Sequence, residues 1–444
     1  MNGVGATTSG SEVARLTEHL FREQAGKLVS VLTGIFGIDR LEMAEDVVQE
    51  AMLRALRTWP YRGIPDNPAG WLTQTAKNLA LDLIRREKLF ETKQPQILAS
   101  LEQWPNESAT ADSPRFESEL RDGRLRLMFA CCHPLLPQEA QTALALKTLC
   151  GFGTEEIAKA FLTTEAAVGK RLTRARQRIR ELEIPLEIPA GEELGRRLTS
   201  VLQVLYLLFN EGYKASSGDR LIKEDLCREA VRLGALLAAH PAGDQPQTHA
   251  LLALMLLNAA RLPERIDTEG NLLRLAEQDR GKWNREMIAR GMFHLHSSAR
   301  GAQASAYHLQ AAIAACHCAA PDYETTNWRR ILSLYDQLLE LEPSPVVALN
   351  RAVALAKVHG PQAGIDAVEQ IRDAVALQSY HLLPAVLGEF ERELGDFESA
   401  ATYFKQALEL TGLTSEQSFL MMRMRECEEQ SLTSVAPAPE LAAR

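Results

Sequence analysis

Six cations fall within eleven residues: Lys170, Arg171, Arg174, Arg176, Arg178 and Arg180, with no acid among them. Their chemistry is recognition. Guanidinium forks pair with phosphate oxygens or with the guanine edge in a major groove. Val168, Leu172, Ala175 and Ile179 recur among them at i, i+4, i+7 and i+11. That spacing predicts one buried stripe along a helix, with the cations outside it. A shorter helical pattern precedes it. Thr154 is its expected cap, Glu155 and Glu156 lie in its first turn, and Ile157, Ala158 and Phe161 form its apolar side. Thr163 or Thr164 then caps the second helix, with Glu165 in its opening turn. A solvated basic face would use the same letters, but two short helices about a tight turn predict a helix–turn–helix that enters DNA. Gly169 costs such a helix about 1 kcal/mol against Ala. Either a close backbone approach requires it, or nothing does.

Other residues able to do chemistry are less well arranged. Cys131-Cys132-His133 and Cys316-His317-Cys318 invite a zinc reading, but neighbouring helical side chains diverge by about 100° and no CxxC pair accompanies them. His294 and His296 diverge likewise. Glu211, Asp219 and Asp279 read as caps and salt bridges rather than a carboxylate site. There is no HExxH and no phosphate loop. The expectation is therefore no catalytic residue, no metal, no cofactor and no enzyme.

The chain has 444 residues, 46% of them hydrophobic, and a formal charge of −9. Residues 1–185 balance 24 basic against 24 acidic side chains, and the remainder holds 25 against 34. The cationic patch is therefore local, which is what phosphate binding requires. No apolar run is long enough to span a bilayer, and the start lacks a signal peptide's charged and apolar regions. Seven Cys without regular spacing describe no disulfide framework. A reduced cytoplasmic protein with no membrane association is expected.

Read in order, an all-α chain emerges. Ser11–Ile35 carries Val13, Leu16, Leu20, Leu28 and Leu32 as helical markers. Leu41–Trp59 has a stripe of Ala44, Val48, Ala51 and Ala55. Glu42, Glu45, Asp46, Gln49 and Glu50 lie off that stripe, on a face that either docks a basic helix or is simply wet. Trp59 to Pro68 is dense in breakers and ends with Asn67 as N-cap and Pro68 at N1. The following helix, Ala69–Lys88, points Leu72, Ala76, Leu79 and Leu83 inward and offers Lys77, Asn78, Arg85, Arg86 and Lys88 outward. Trp71 is either core or a stacking platform for a base. Residues 91–115 lose periodicity and form a linker. Helices resume at Phe116–Cys132 and Pro137–Cys150, and Ile184–Gly191 is a second joint. From Glu192 on, apolar helices alternate. Leu387-Gly388, Gly395-Asp396-Phe397, Ala400, Phe404 and Ala407-Leu408 fit a tetratricopeptide pair, with looser units before it.

With AEDVVQEAMLRAL (Ala44–Leu56), PAGWLTQTAKNLALDLIRR (Pro68–Arg86) and TEEIAKAFLTTEAAVGKRLTRARQRI (Thr154–Ile179) in place, the chain resembles the extracytoplasmic-function class of bacterial sigma factors. VLYLLFNEGYKASSGD and EQDRGKW are similar to the subgroup with a tetratricopeptide-like extension. The resemblance implies a region 2 domain (11–90), a linker (91–115), a region 4 helix–turn–helix (116–184) and a helical regulatory domain (192–430). It implies that Asp46, Gln49 and Glu50 bind core RNA polymerase. Trp71, Lys77, Asn78, Arg85 and Arg86 would open the minus-ten element and hold the melted non-template strand. Lys170, Arg171, Arg174, Arg176 and Arg178 would read the minus-thirty-five element of duplex promoter DNA. The acidic C-terminal domain would take a protein partner or mask the cations between Lys170 and Arg180. The competing reading is a helix–turn–helix regulator that never engages polymerase.

Overall fold

The computed structural model describes residues 20–21, 24–86, 99–101, 114–160, 163–214, 222–267, 272–301, 303–412 and 414–435. The start of the first helix, Phe161, Asp219 and most of the linker lie outside them. The fold is all-α, and among the described residues the only bridge pairs Ile266 with Leu272. No described helix is long and apolar enough to cross a membrane. The chain divides into two compact units, residues 1–208 with 239–243, and residues 209–238 with 244–444.

The first unit starts with a helical segment over 24–36 (α1), followed by α2 (Leu41–Arg62) and α3 (Pro68–Arg86). The predicted stripe of α2 is buried throughout, with Ala44, Ala51 and Ala55 at 0% exposure. The helix runs one turn past the expected stop, with Pro60 inside it, and Gly63 ends it at φ 82 by donating to Trp59 O. A proline this late removes only one intrahelical bond, so the last turn survives it. Asn67 caps α3 as expected, its Oδ1 accepting from Gly70 N at 3.0 Å. The stripe of α3 is Leu72, Ala76, Ala80 and Ile84 rather than one through Leu79 and Leu83, which sit half-buried on its flank. Helix α4 (Pro114–Cys131) leads to α5 (Gln138–Leu144), which widens into a π-helical turn at Ala145–Leu149. Helices α6 (Thr154–Ala160) and α7 (Glu165–Glu181) then form the helix–turn–helix, and α8 (Gly191–Tyr213) follows.

The second unit is built from α9 (Glu224–Ala238), α10 (Pro246–Ala259), α11 (Arg285–Ser298) and α12 (Ala306–Ala319), continuing into α13 (Trp328–Leu341), α14 (Pro345–His359), α15 (Pro361–Glu369), α16 (Leu382–Leu394), α17 (Phe397–Leu410) and α18 (Thr414–Val435). Helix α10 is buried along almost its whole length, as its apolar letters demand. From α12 on, each helix shares a core with the next. Leu309 and Ile313 meet Ile331, Leu334 and Leu338; Leu349 and Val368 meet Leu387 and Phe390; Ala400, Phe404 and Ala407 meet Leu420 and Cys427. The α16–α17 pair has the expected tetratricopeptide joints. Gly395 ends α16 in the left-handed region at φ 86, and Asp396 caps α17 through Ser399 N at 3.0 Å. A Cβ on Gly388 would come within 3.0 Å of the Phe404 ring, so the absent side chain lets the two helices close.

Polar ties hold the ends of this unit. Glu416 is 5% exposed, accepts from Thr411 Oγ1 at 2.6 Å, and pairs with Lys214 and His381, each at 3.1 Å. Burial pushes its carboxyl up, but His381, Lys214 and Thr411 overcome that and bring it down to about 2. A depressed carboxyl stabilises the fold above its unfolded pKa and loses that contribution as pH falls through the folded value. Wild-type stability should therefore drop by about 3 kcal/mol between pH 5 and pH 2 from this group alone. In Glu416→Gln, urea denaturation followed by circular dichroism should show this part of the acid limb missing.

Candidate nucleic-acid interface

Helix α7 is positioned by its cap and its stripe. Thr164 Oγ1 accepts from Ala167 N at 3.2 Å, which settles the choice between Thr163 and Thr164. Val168, Leu172, Ala175 and Ile179 are all at most 3% exposed. Thr154, in contrast, does not cap α6. Gly153 precedes the helix and donates its N–H to Glu156 Oε2 at 2.7 Å, while Thr154 Oγ1 reaches Glu165 Oε1 at 2.7 Å and ties the two helices together.

At 100° per residue, Lys170 and Arg174 lie on the side away from the stripe, Arg178 falls about 90° from its centre, and Arg171 and Arg176 fall on its two shoulders, each about 70° from it. The environments follow that division. Lys170, Arg174, Arg178 and Arg180 are exposed, although Arg178 also reaches Glu181 at 3.4 Å. Arg171 pairs with Glu139 of α5 at 2.5 Å. Arg176 turns toward α2, and its side chain is only 13% exposed. Its Nη1 meets Glu42 Oε1 at 3.4 Å and its Nη2 donates to Glu45 Oε2, while Thr148 Oγ1 donates to Glu45 Oε1 at 2.6 Å. A Cβ on Gly169 would meet nothing within 4 Å, so no close approach explains that glycine.

The acidic side of α2 is split in the same way. Glu45 is 7% exposed and engaged, not part of an open face. Asp46 and Gln49 remain exposed, and Glu50 is half-buried with an intrahelical partner in Arg54 at 3.1 Å. Burial and the neighbouring Glu42 raise the Asp46 carboxyl, against Arg176 and Lys147, which lower it. On α3, Asn78, Arg85 and Arg86 are exposed, with Asn78 Oδ1 accepting from Gln74 Nε2 at 3.0 Å. Lys77 is 6% exposed and does not supply the outward reach read from its letter, because it lies next to Ala76 in the stripe. Trp71 is half-buried and sets its ring edge-on to Trp59 at 5.6 Å, a core contact that leaves one part of the ring accessible.

The remaining candidates resolve into structural roles. Glu211 pairs with Lys223 at 2.7 Å, and Asp279 caps a short turn through Gly281 N at 2.8 Å. His294 stacks on His249, which bonds Asp244 at 2.8 Å through its other nitrogen, while His296 is exposed. Burial, with His249 and Arg290, lowers His294 to about 4. The seven Cys are free, and no group of three ligands able to hold a metal occurs among the described residues. Sequence reasoning missed Thr148 and Arg280. The first is an ordinary letter in a π turn. The second sits in the EQDRGKW motif, and is 4% exposed with bonds to His317 O, Ala320 O and Thr326 Oγ1.

Comparison with known proteins follows these elements. Residues 20–90 match sigma-70 region 2, residues 126–179 match sigma-70, region 4, and residues 197–299 match a family of unknown function (DUF6596). An uncharacterized protein of Rhizobium meliloti is 39% identical over 387 residues, which span 86% of this chain and 90% of the relative. The probable RNA polymerase sigma factor RfaY of Xanthomonas campestris is 30% identical over 139 residues, 31% of this chain and 33% of its own. The ECF RNA polymerase sigma factor SigE of Mycolicibacterium smegmatis is 29% identical over 141 residues, 31% of this chain and 51% of its own. No solved structure matches. A three-helix region 2 and a helix–turn–helix region 4 in this order define an RNA polymerase sigma factor. The chain belongs to the extracytoplasmic-function type of that family, with a C-terminal helical extension.

Because nothing packs where a Cβ would sit, Gly169→Ala should stabilise the first unit by about 1 kcal/mol. Thermal unfolding followed at 222 nm checks this, and an unchanged or lowered midpoint would show a role for the glycine that packing does not.

Proposed function

We propose that the chain binds core RNA polymerase in the cytoplasm, directs it to specific promoters and helps open them. The observation that carries this is the pairing, on one chain, of an exposed Asp46–Gln49 ridge on α2 with the outward Lys170, Arg174 and Arg178 of a capped recognition helix. In this reading Asp46, Gln49 and Glu50 dock on polymerase. Lys170, Arg174 and Arg178 contact the minus-thirty-five duplex, with Arg171 and Arg176 joining them once their acidic partners let go. Trp71, Asn78, Arg85 and Arg86 hold the melted minus-ten strand, and Lys77 supports them from within the helix packing. The working boundaries are 11–90 for region 2, 91–115 for the linker, 116–184 for region 4 and 192–430 for the extension. The extension modulates activity through a protein partner, which its helical-repeat cores and acidic excess suit.

Transcription in vitro with purified core polymerase on a genomic promoter library tests the whole reading. Charge reversal by Asp46→Lys with Glu50→Lys should weaken association with core polymerase more than tenfold. Unchanged association would favour a regulator that acts on DNA alone. Lys170→Ala with Arg174→Ala should weaken promoter binding at every sequence and lower the slope of log affinity against log salt by about 2. A slope that does not move would remove those two side chains from the phosphate contact.

A further inference from the structure

The second unit buries a group of arginines whose charge no carboxylate of the chain balances. We propose that Arg261, Arg280, Trp283 and His317 form a binding site for a small phosphate-type oxyanion, held between the end of α10, the turn before α11 and the end of α12.

Three chain segments meet there. Asn284 N donates to Ala260 O at 2.9 Å, which sets the turn at Arg280–Lys282 against the end of α10. From that turn Arg280 reaches the end of α12, donating to His317 O at 2.7 Å and to Ala320 O at 3.1 Å. The guanidiniums of Arg261 and Arg280 each lie 5.2 Å from the centroid of the Trp283 indole, so no more than about 10 Å separates them. Arg265 adds a third buried cation, which donates to Tyr213 O and stacks over that ring at 3.9 Å.

Among the described residues no carboxylate forms an ion pair with Arg261, Arg265 or Arg280. The acids close by are committed elsewhere. Glu264 pairs with Lys282 at 3.4 Å, Asp279 accepts from Gly281 N at 2.8 Å, and Asp322 accepts from Thr325 N at 2.8 Å. Burial lowers the pKa of Arg265 and of Arg280, and Arg261 lowers both further, as like charges facing one another must. Carbonyls and ring faces hold these guanidiniums but cancel no charge, and a buried cation without a counter-ion is costly.

Unused polar nitrogens cluster at the same place. Arg261 Nε, Arg280 Nε, Trp283 Nε1 and His317 Nδ1 are all buried with no hydrogen-bond partner. Burial, Arg261 and Arg280 lower His317 to about 3, so its ring is neutral at pH 7 and has one N–H to give. Guanidinium forks match phosphate oxygens, and a phosphate group carries about −1.5 to −2 at pH 7, enough to offset two arginines where a carboxylate offsets one. Arg280 and Trp283 are 4% and 2% exposed, which selects a small group, and half-buried Arg261 marks the side nearest solvent.

Calorimetric titration of the full chain with inorganic phosphate, at an ionic strength held constant with chloride, tests the site. One phosphate per chain should bind with a dissociation constant below about 1 mM. At a hundred times that constant the thermal midpoint should rise by about 5 °C. Arg261→Gln is the sharpest variant, because this side chain makes no hydrogen bond among the described residues whose loss would unfold the chain. It should weaken binding at least tenfold, yet melt no lower than the wild type in phosphate-free buffer, since one of the facing charges is gone. An arginine with a purely structural role would instead lower the midpoint in both buffers. Trp283→Phe keeps an aromatic ring, removes the indole donor and should weaken binding about fivefold. Adenosine monophosphate binding more tightly than inorganic phosphate, and weakened by the same two variants, would support the site and place its phosphate on a larger ligand. No heat and no midpoint shift with either compound overturns the site, as does binding that survives Arg261→Gln or a lower phosphate-free midpoint in that variant.

Discussion

A carboxylate taken out of water needs a matched set of donors around it, and Glu45 sets that condition for the first unit. It sits inside α2 at 7% exposure, and the guanidinium that satisfies it comes from 131 residues further along the chain. Meeting the condition fixes how α7 is rotated and where it lies against α2. With Arg176 committed to that side, the stripe of Val168, Leu172, Ala175 and Ile179 faces the core, and Lys170, Arg174 and Arg178 are left facing water. Leaving a buried charge unpaired would be far more costly than any of the surface pairs along α7 is favourable. The cap at Thr164 and the buried stripe set the register of α7, and this pairing ties its shoulder to α2.

Local rules made much of this legible from the letters. The apolar periods of α2 and α7 appeared as read, because a 3.6-residue repeat leaves no freedom about which side is buried. Asn67 and Asp396 cap their helices because a cap needs only its own next three residues. The Gly388–Phe404 contact followed from a repeat pattern in which small residues mark close helix approach. Thr154 shows the limit of even local rules: Gly153 with the returning Glu156 carboxylate served the first turn of α6, which freed the threonine to bridge to α7.

Burial of charge was not legible. Helical position puts Arg176 on the shoulder of the stripe and Arg174 on the far side, but the acids that receive Arg176 are 131 and 134 residues away and gave no signal. Glu45 among the acids of α2 and Lys77 among the cations of α3 are the same kind of case. In α3 the inward set shifted from Leu79 and Leu83 to Ala80 and Ile84. Small residues at 76 and 80 let neighbouring helices approach closely there, whereas leucine marks hydrophobicity without fixing which shoulder of the stripe is deepest. Thr326 and the carbonyls that close on Arg280 gave no signal either, because a backbone acceptor carries no letter.

That last arginine bears on where the extension can be cut. The match to the family of unknown function ends at residue 299, yet the oxygens that satisfy Arg280 belong to residues 317, 320 and 326. A fragment trimmed to the matched span would keep a guanidinium that is 4% exposed in the intact fold and discard all three of its acceptors. The matched span and the set of residues that satisfy this arginine are therefore different objects. A piece of the extension that keeps Arg280 satisfied must reach past the end of α12 to Thr326, just before α13.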